Sequence, residues 1–460
     1  MTQLATIILA AGKGTRMKSD LVKVLHPLMG RPMVAYAVDA SLEGLKAGKT
    51  VVVVGRQGER VQKALSEDRL TFVSQHPQLG SGHAVLCARD AFRDYDGTIL
   101  ILSGDVPLVQ GETLKALAAF HQREKATLTV GTTRPPDPTG YGRIVRREGA
   151  WVERIIEERD ASPEECDIDE INTGLYCVEA PFLFDALERV RADNRQREYY
   201  LTDIVEIGCH DRRKVLAFEI QDSEQLLGIN TRIDLAQAHQ ILRKRCLDRW
   251  MLEGVTITDP ATTYIETPVT VGQDTMIYPN STIQGKTVIG RRCTIGPNCV
   301  IADSELGDDV TVKAFSIIEE SHIKRGAVIG PFSRLRPQSQ ILENAKIGNF
   351  VEVKKSVIGR GSKANHLAYI GDTTLGERTN IGAGTITCNY DGSTKHPTII
   401  GNDVFVGSNT ELVAPVRIGD GAVIGAGSTI TRDVPEGSLA VSRSKQNNIR
   451  RWQERRRKKK

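Results

Sequence analysis

The sequence contains no run of about 18 apolar residues, the length a helix needs to cross a bilayer, so no membrane span is expected. It has no basic flank ahead of its first apolar stretch, LATIILA, and Gly12-Lys13-Gly14-Thr15-Arg16 follows where a leader peptide would be cleaved. That stretch therefore reads as a first β-strand. The eight cysteines (Cys87, Cys166, Cys177, Cys209, Cys246, Cys293, Cys299 and Cys388) form no C-x-x-C pair and no His/Cys ligand spacing. Free thiols are expected, and with them a reducing, cytoplasmic setting.

Excess positive charge is missing from most of the chain. The formal net charge is +4, but RRWQERRRKKK at 450–460 alone carries +7, so the +4 total less that +7 leaves −3 for the rest. A slightly acidic body argues against nucleic acid as a partner, and the basic end reads as a solvated tail.

What the sequence does contain divides in two. At 460 residues it exceeds one compact core, and 40% hydrophobic with 26% charged residues is ordinary globular composition. Through residue 230, β-rich runs (LATIILA, TVVVVG, TILILSG, TLTVGTT) alternate with helical stretches such as PMVAYAVDASLEGLKAG. This alternation predicts a mainly parallel sheet covered by helices, with ligands bound beyond the carboxyl ends of the strands. Residues 231–253 lack glycine and proline, and Leu235, Ala238, Leu242, Cys246 and Trp250 recur three or four apart, predicting one long amphipathic helix. It suits a packing helix of the first domain or a connector equally well.

After Gly254 the period becomes six. Ile277, Ile283, Ile289, Ile295 and Ile301 open the series; Leu306, Val312 and Ile318 follow a one-residue slip; Ile323, Ile329, Leu335, Ile341, Ile347 and Val353 follow another. It returns at Ile400, Val406, Leu412, Ile418, Ile424 and Ile430. Neither a 3.6-residue helix nor simple strand alternation gives this period; a parallel β-helix of three hexads per coil does. Cys293 and Cys299 would then lie on neighbouring faces, poorly placed for a disulfide. The longest interruption, 382–398, is where a site is expected.

Two groups of residues carry chemistry. The first strand ends in Leu9-Ala10-Ala11-Gly12-Lys13-Gly14-Thr15-Arg16-Met17, whose small residues would let backbone N–H groups approach a phosphate. A Walker A loop would need glycine where Ile7 stands, and a dinucleotide fingerprint would need glycine at Met17. Lys13, Arg16 and Lys23 add cations suited to a phosphoryl transition state, and Ser103-Gly104-Asp105 places a carboxylate just beyond a buried strand, where it suits a hard cation.

The L-A-A-G-x-G-T-R-M loop resembles that of the sugar-phosphate nucleotidyltransferases, with Val22-Lys23 in place of the usual Pro-Lys. Further matches are Gln75, Gly80-Ser81-Gly82-His83-Ala84, Gly140-Tyr141-Gly142-Arg143, Glu157, Ile171-Asn172-Thr173-Gly174 and Gly228-Ile229-Asn230. The resemblance implies that Leu9, Ala10, Ala11, Gly12, Gln75, Gly80 and Ser81 hold the uridine nucleotide, with Ser103 and Gly104 beside them. It implies that Gly142, Glu157 and Asn172 hold an acetylated sugar, that Asp105 and Asn230 ligate Mg²⁺, and that Arg16 and Lys23 act on the triphosphate of UTP.

The second group lies among the broken hexads: Arg336, Lys354, His366, Tyr369, Asn380 and the Cys388-Asn389-Tyr390 segment, a candidate base with anion-binding cations and amides. KANHLAYIG and NIGAGTITCNYDG, on hexads and behind a nucleotidyltransferase half, resemble the bifunctional bacterial enzymes that join a uridyltransferase to a glucosamine-1-phosphate acetyltransferase. Asn365 stands where that pattern has glycine. The resemblance makes His366 the general base and assigns Arg336, Lys354, Tyr369 and Asn380 to the amino-sugar phosphate. Ala383, Asn389, Tyr390, Ser408, Ala426 and Arg443 would bind acetyl-CoA. The implied organisation is a Rossmann-like α/β domain at 1–230, a linker helix at 231–253, a left-handed parallel β-helix at 254–446 and a tail at 447–460. A homotrimer with small-molecule substrates is implied as well. The competing expectation is a single-function sugar-phosphate nucleotidyltransferase whose β-helix serves only assembly or regulation.

Overall fold

The computed structural model describes residues 4–147 and 149–457 and divides into two compact units, Met1–Leu242 and Arg243–Lys460. In the first, β-branched runs form the middle of a twisted sheet. Its order is Val215–Glu219, Leu128–Thr133, Ile171–Glu179, Thr98–Ser103, Leu4–Ala10, Lys49–Val54, Leu70–Ser74. Adjacent pairs run parallel except at Ile171–Glu179, which is antiparallel to both neighbours. The mixed sheet thus keeps the expected parallel half, with Leu4–Ala10 between Lys49–Val54 and Thr98–Ser103. The inner strands are buried on both faces, as continuous apolar runs require. The loops after Ala10 and Ser103 leave the same edge side by side, with the Gly104 amide donating to the Leu9 carbonyl at 2.9 Å.

The helix expected at 231–253 forms at Arg232–Leu252. Its two ends serve different cores: Leu235 and Ala238 pack with Met17, Leu28, Met33, Leu108 and Ile229, whereas Leu247 and Trp250 belong to the second core. The apolar stripe read from the sequence therefore serves two domains in succession, and the division between units falls inside the helix.

In the second unit the hexads become three parallel sheets, with 11, 10 and 9 short strands among the described residues. Ile277 pairs with Ile295 and Ile283 with Ile301, one coil of 18 residues on. The slips shorten some coils to 17, as in Ile289 with Leu306. Each inward aliphatic is essentially solvent-free, and burying one contributes about 1.5–3 kcal/mol. A second buried column precedes it by two residues and holds small side chains that close the corner. Ser281 donates to the Gly296 carbonyl at 2.8 Å and Ser333 to that of Gly348 at 2.6 Å. Cys293 and Cys299 occupy this column, before strands of two different sheets, with their thiols toward the Gly307 and Lys313 carbonyls.

The repeat continues through the stretch where its sequence signature fades. Ile358, Ala364, Ile370, Leu375 and Ile381 are inward and buried, and Thr387 takes the next position in the strand Ile386–Cys388. A hydroxyl stands there in place of an aliphatic, satisfied by the Gly371 amide at 2.8 Å, so the hydrophobic period misses it. The true insertion is 389–397, which lengthens one coil to 25 residues. In the basic tail, Trp452–Arg457 form a short exposed helix, and Lys458 to Lys460 lie outside the described residues.

Candidate functional site

In the first unit the loop after Leu4–Ala10 folds back on Lys23. Gly14 sits at φ 61°, and a Cβ there would stand 2.6 Å from Lys23 Cβ, so only glycine lets the loop close. Lys23 Nζ is ion-paired with Asp105 Oδ2 and donates to Asn230 Oδ1 at 3.1 Å; Arg16 donates to the same Asn230 oxygen at 2.8 Å. Asn230 is fixed from behind, because its amide and that of Thr231 both donate to Asp234 Oδ2 at 2.8 Å. Two side-chain oxygens, one a carboxylate, thus converge on one cationic point, a donor set suited to a hard divalent cation completed by phosphate and water.

A cavity of about 320 Å³ adjoins this point, lined by Leu9, Ala11, Gly12, Lys23, Gln75, Gly80, Ser81, Ser103 and Asp105 among others. Gln75 is oriented by the Gly80 carbonyl at 2.9 Å and by His83 Nδ1 at 3.1 Å. Ser81 Oγ accepts from the Leu201 amide at 3.0 Å. Ala10 and Gly104 contribute backbone only: Ala10 is buried in the strand, and Gly104 is tied to Leu9.

Gly142 and Asn172 meet across the sheet edge, the Asn172 amide donating to the Gly142 carbonyl at 2.8 Å. Asn172 Nδ2 donates to Tyr176 Oη at 2.8 Å. Glu157 faces a second cleft with Asp160, Tyr200, Thr202, Asp203 and Glu206. Burial, aided by Asp160, pushes the Glu157 carboxyl above the usual range. Asp203, desolvated and facing Glu206, Glu157 and Asp160, is pushed up to about 6.

In the second unit the site residues fall at two corners of the prism. At one, His366 ends the strand Lys363–His366, with Ala383 next in its column, and Arg443 donates to the Ala426 carbonyl at 2.6 Å. Ser408 follows the strand Phe405–Val406 on the same side. Asn380 begins the strand Asn380–Ile381 of that sheet, in register with Lys363. At the other corner, Arg336 pairs with Glu352 at 2.9 Å and Lys354 with Asp372 at 3.4 Å. Asp372 also accepts from Asn389 Nδ2 at 2.5 Å, which ties the 389–397 loop to the coil. Tyr369 lies on the strand that joins the corners. Tyr390 bridges to Lys395 across the loop.

Two residues absent from the sequence reading emerge here. Lys395 lies beside Lys354, which, with Arg336 adding to the repulsion, pushes the Lys395 ammonium below the usual lysine range. Lys354, beside Lys395 and facing Asp372, is held above it. Asp372, at φ 48°, lies 3.4 Å from Lys354 Nζ and 3.9 Å from Lys355 Nζ, and its charge also acts on Lys395. Cations crowded in this way suit a dianion such as a phosphate monoester. Neither residue is legible in the hexad pattern, because one lies in the insertion and the other at a corner.

A MobA-like NTP transferase domain model matches residues 6–200, and the six-repeat bacterial transferase hexapeptide model matches 268–303 and 397–432. The Bifunctional protein GlmU of Pelobacter propionicus is 50% identical over 460 residues, covering 100% of both chains. That of Syntrophotalea carbinolica is 51% identical over 450 residues, 98% of this chain and 97% of the relative. That of Geobacter sulfurreducens is 49% identical over 475 aligned residues, 99% of this chain and all of the relative. The chain belongs to the bifunctional GlmU family.

As a GlmU protein it is a bifunctional enzyme, a uridyltransferase and an N-acetyltransferase. The single-function alternative is set aside, because GlmU relatives match through both halves at about 50% identity. The GlmU architecture accounts for the two units: a nucleotidyltransferase sheet, and a left-handed β-helix of hexapeptide coils. Among the described residues no helix is long and apolar enough to cross a membrane.

Proposed function

We propose that the chain acetylates glucosamine 1-phosphate with acetyl-CoA in the second unit, then transfers UMP from UTP to N-acetylglucosamine 1-phosphate in the first, releasing pyrophosphate. The observation that supports this reading is that each unit carries its own set of reactive groups, Lys23 with Asp105 and Asn230 in one, and in the other His366 at one corner and the Lys354–Asp372–Lys395 cluster at another.

In uridylylation, the small-residue loop and Gln75 would hold the uridine nucleotide, and Gly142, Glu157 and Asn172 the acetylated sugar. The sugar phosphate oxygen attacks the α-phosphorus, and Arg16 and Lys23 absorb charge on the leaving pyrophosphate. No protein nucleophile is needed. Asp105 and Asn230, whose oxygens already converge on one ammonium, would hold Mg²⁺, and when bound it neutralises phosphate oxygens.

In acetylation, Arg336, Lys354 and Lys395 would receive the phosphate of the amino sugar with Tyr369 and Asn380, and His366 would take the amine proton. Ala383, Asn389, Tyr390, Ser408, Ala426 and Arg443 would bind acetyl-CoA. These groups sit on two corners of one prism, and a six-residue face spans up to ~20 Å at about 3.3 Å per extended residue. We assign the closure of the site to a homotrimer, in which one copy's corner faces another's. Phe315, Phe332, Phe350 and Leu367 support this: they form a column at the His366 corner with φ between 46° and 60°, and the first three rings stack at 4.9 and 5.2 Å. Each is about half exposed or more, an apolar stripe that monomeric proteins seldom leave in water. The free thiols, several of them buried, support a cytoplasmic location.

The test is incubation with glucosamine 1-phosphate, acetyl-CoA, UTP and Mg²⁺, each omitted in turn, with mass detection. The expected UDP-N-acetylglucosamine disappears on every omission. UDP-glucosamine accumulating at full rate without acetyl-CoA would overturn the order of the steps.

A further inference from the structure

His366 is exposed at a corner of the β-helix, where an imidazole with no support would rotate freely and exchange tautomers. The parallel register removes that freedom. Lys346–Asn349 lies one coil before Lys363–His366, with Asn349 directly opposite His366, and Asn349 Oδ1 stands 2.7 Å from His366 Nδ1. The backbone is pinned at the same level, the Leu367 amide donating to the Asn349 carbonyl at 3.0 Å. Gly348 allows the two coils to approach, since a Cβ there would run into the Asn365 carbonyl.

The contact is not part of a side-chain ladder. The register places Pro331 before Asn349 and Ala383 after His366 in this column, so the column offers the ring one polar neighbour. With Asn349 Oδ1 turned to the ring, the bond is made when Nδ1 carries the hydrogen and donates it, which leaves Nε2 its lone pair.

We propose that Asn349 is a positioning residue for acetyl transfer, holding His366 in the tautomer whose Nε2 is free to take the proton of the attacking amine. This rests on the reading of His366 as the base. In the step so oriented, the amine nitrogen bonds to the thioester carbonyl carbon while its proton passes to Nε2. The C–S bond then breaks, and the departing thiolate recovers that proton as the CoA thiol. A neutral amide fixes the ring without placing a second charge against the imidazolium that forms.

The experiment compares the full-length wild type with Asn349→Ala, Asn349→Asp and His366→Ala, each assayed for both activities. Asn349→Ala is expected to lower kcat for acetylation ~10-fold or more, with KM for both substrates within about twofold and uridylylation unchanged. Asn349→Asp keeps the acceptor and should restore most of kcat. Its carboxylate favours the charged imidazole, so the acidic limb of its pH–rate profile moves to higher pH. With ¹⁵N-labelled histidine, the wild-type His366 signal should show hydrogen on Nδ1, and Asn349→Ala a mixture. An inactive His366→Ala beside an Asn349→Ala of wild-type kcat, or a wild-type ring protonated on Nε2, would overturn the role of Asn349. Full acetylation by His366→Ala would instead overturn the base assignment beneath it.

Discussion

Lys23 and Asn230, 207 residues apart in sequence, meet where the lysine ammonium donates to the asparagine side-chain oxygen at 3.1 Å. The same ammonium is ion-paired with Asp105, so one cation is shared by the loop after the first strand, the loop after Thr98–Ser103 and the segment leading into the long helix. The proposed uridylylation site needs all three at this point.

Removing the carboxylate from this arrangement should disable one activity alone. Asp105→Ala is expected to lower uridylylation ~100-fold or more, because both the candidate metal ligand and the partner of Lys23 are lost. Acetylation, measured as CoA release in the same preparation, should be unchanged. An unaltered uridylylation rate would remove Asp105 from the site.

The crowded lysines at the acetyl site predict a substrate-specific defect. Lys395→Ala should raise KM for glucosamine 1-phosphate ~10-fold with a smaller change in kcat, and Lys395→Arg should recover part of the loss. Lys395 titrates below the usual lysine range because Lys354 lies beside it. Loss of that proton removes one of the cations, so affinity for the sugar phosphate should fall as pH rises, at a lower pH than an ordinary lysine would give. Calorimetric titration across pH 7–10 (about the range between a neutral solution and a free lysine) reads this directly.

Fragment boundaries test the shared helix. A fragment ending at residue 230 loses Leu235 and Ala238 from a core that also holds Met17 and Ile229, a deletion of the kind that costs about 2–5 kcal/mol. A fragment ending at residue 242 retains them. The longer fragment should show full uridylylation and the higher Tm; equal Tm values would place the helix outside the first core.

Asp203 gives the stability of the first unit a definite pH dependence. Its folded pKa, about 6, lies above the ordinary value of 3.8, so the native state binds the extra proton. The stabilisation is full below the unfolded value and is lost as pH rises through about 6. Asp203→Asn should therefore raise Tm at pH 7.5 more than at pH 5 (two conditions on either side of the shifted value), as followed by calorimetry.

Much of the architecture is legible in the residues because its causes are local. The six-residue period marks the inward aliphatics of each coil, and apolar runs mark the buried strands. The reading weakens where the inward residue is polar, as at Thr387: a hydroxyl carries no hydrophobic signal, so the period alone sets the start of the interruption at 382 rather than 389. The stripe on the long helix is equally visible, but a stripe does not say what it packs against, and here Leu235 and Trp250 lie in different cores.

The sites divide in the same way. Lys23, Asp105 and His366 can be singled out by type and company, since loops after strands and breaks in a repeat are where chemistry is carried. Lys395 and Asn349 cannot. One acts through a loop folded back on Lys354, and the other through a register that sets it one coil from the ring it orients. Hydrophobic period and glycine placement act over a few residues, so the two domain types, the glycine-rich loop and the hexad coils can be read from the chain alone. Which side chains from distant coils and loops meet is set by the folded structure, because hydrogen bonds and ion pairs depend on angstrom distances that no spacing along the chain encodes.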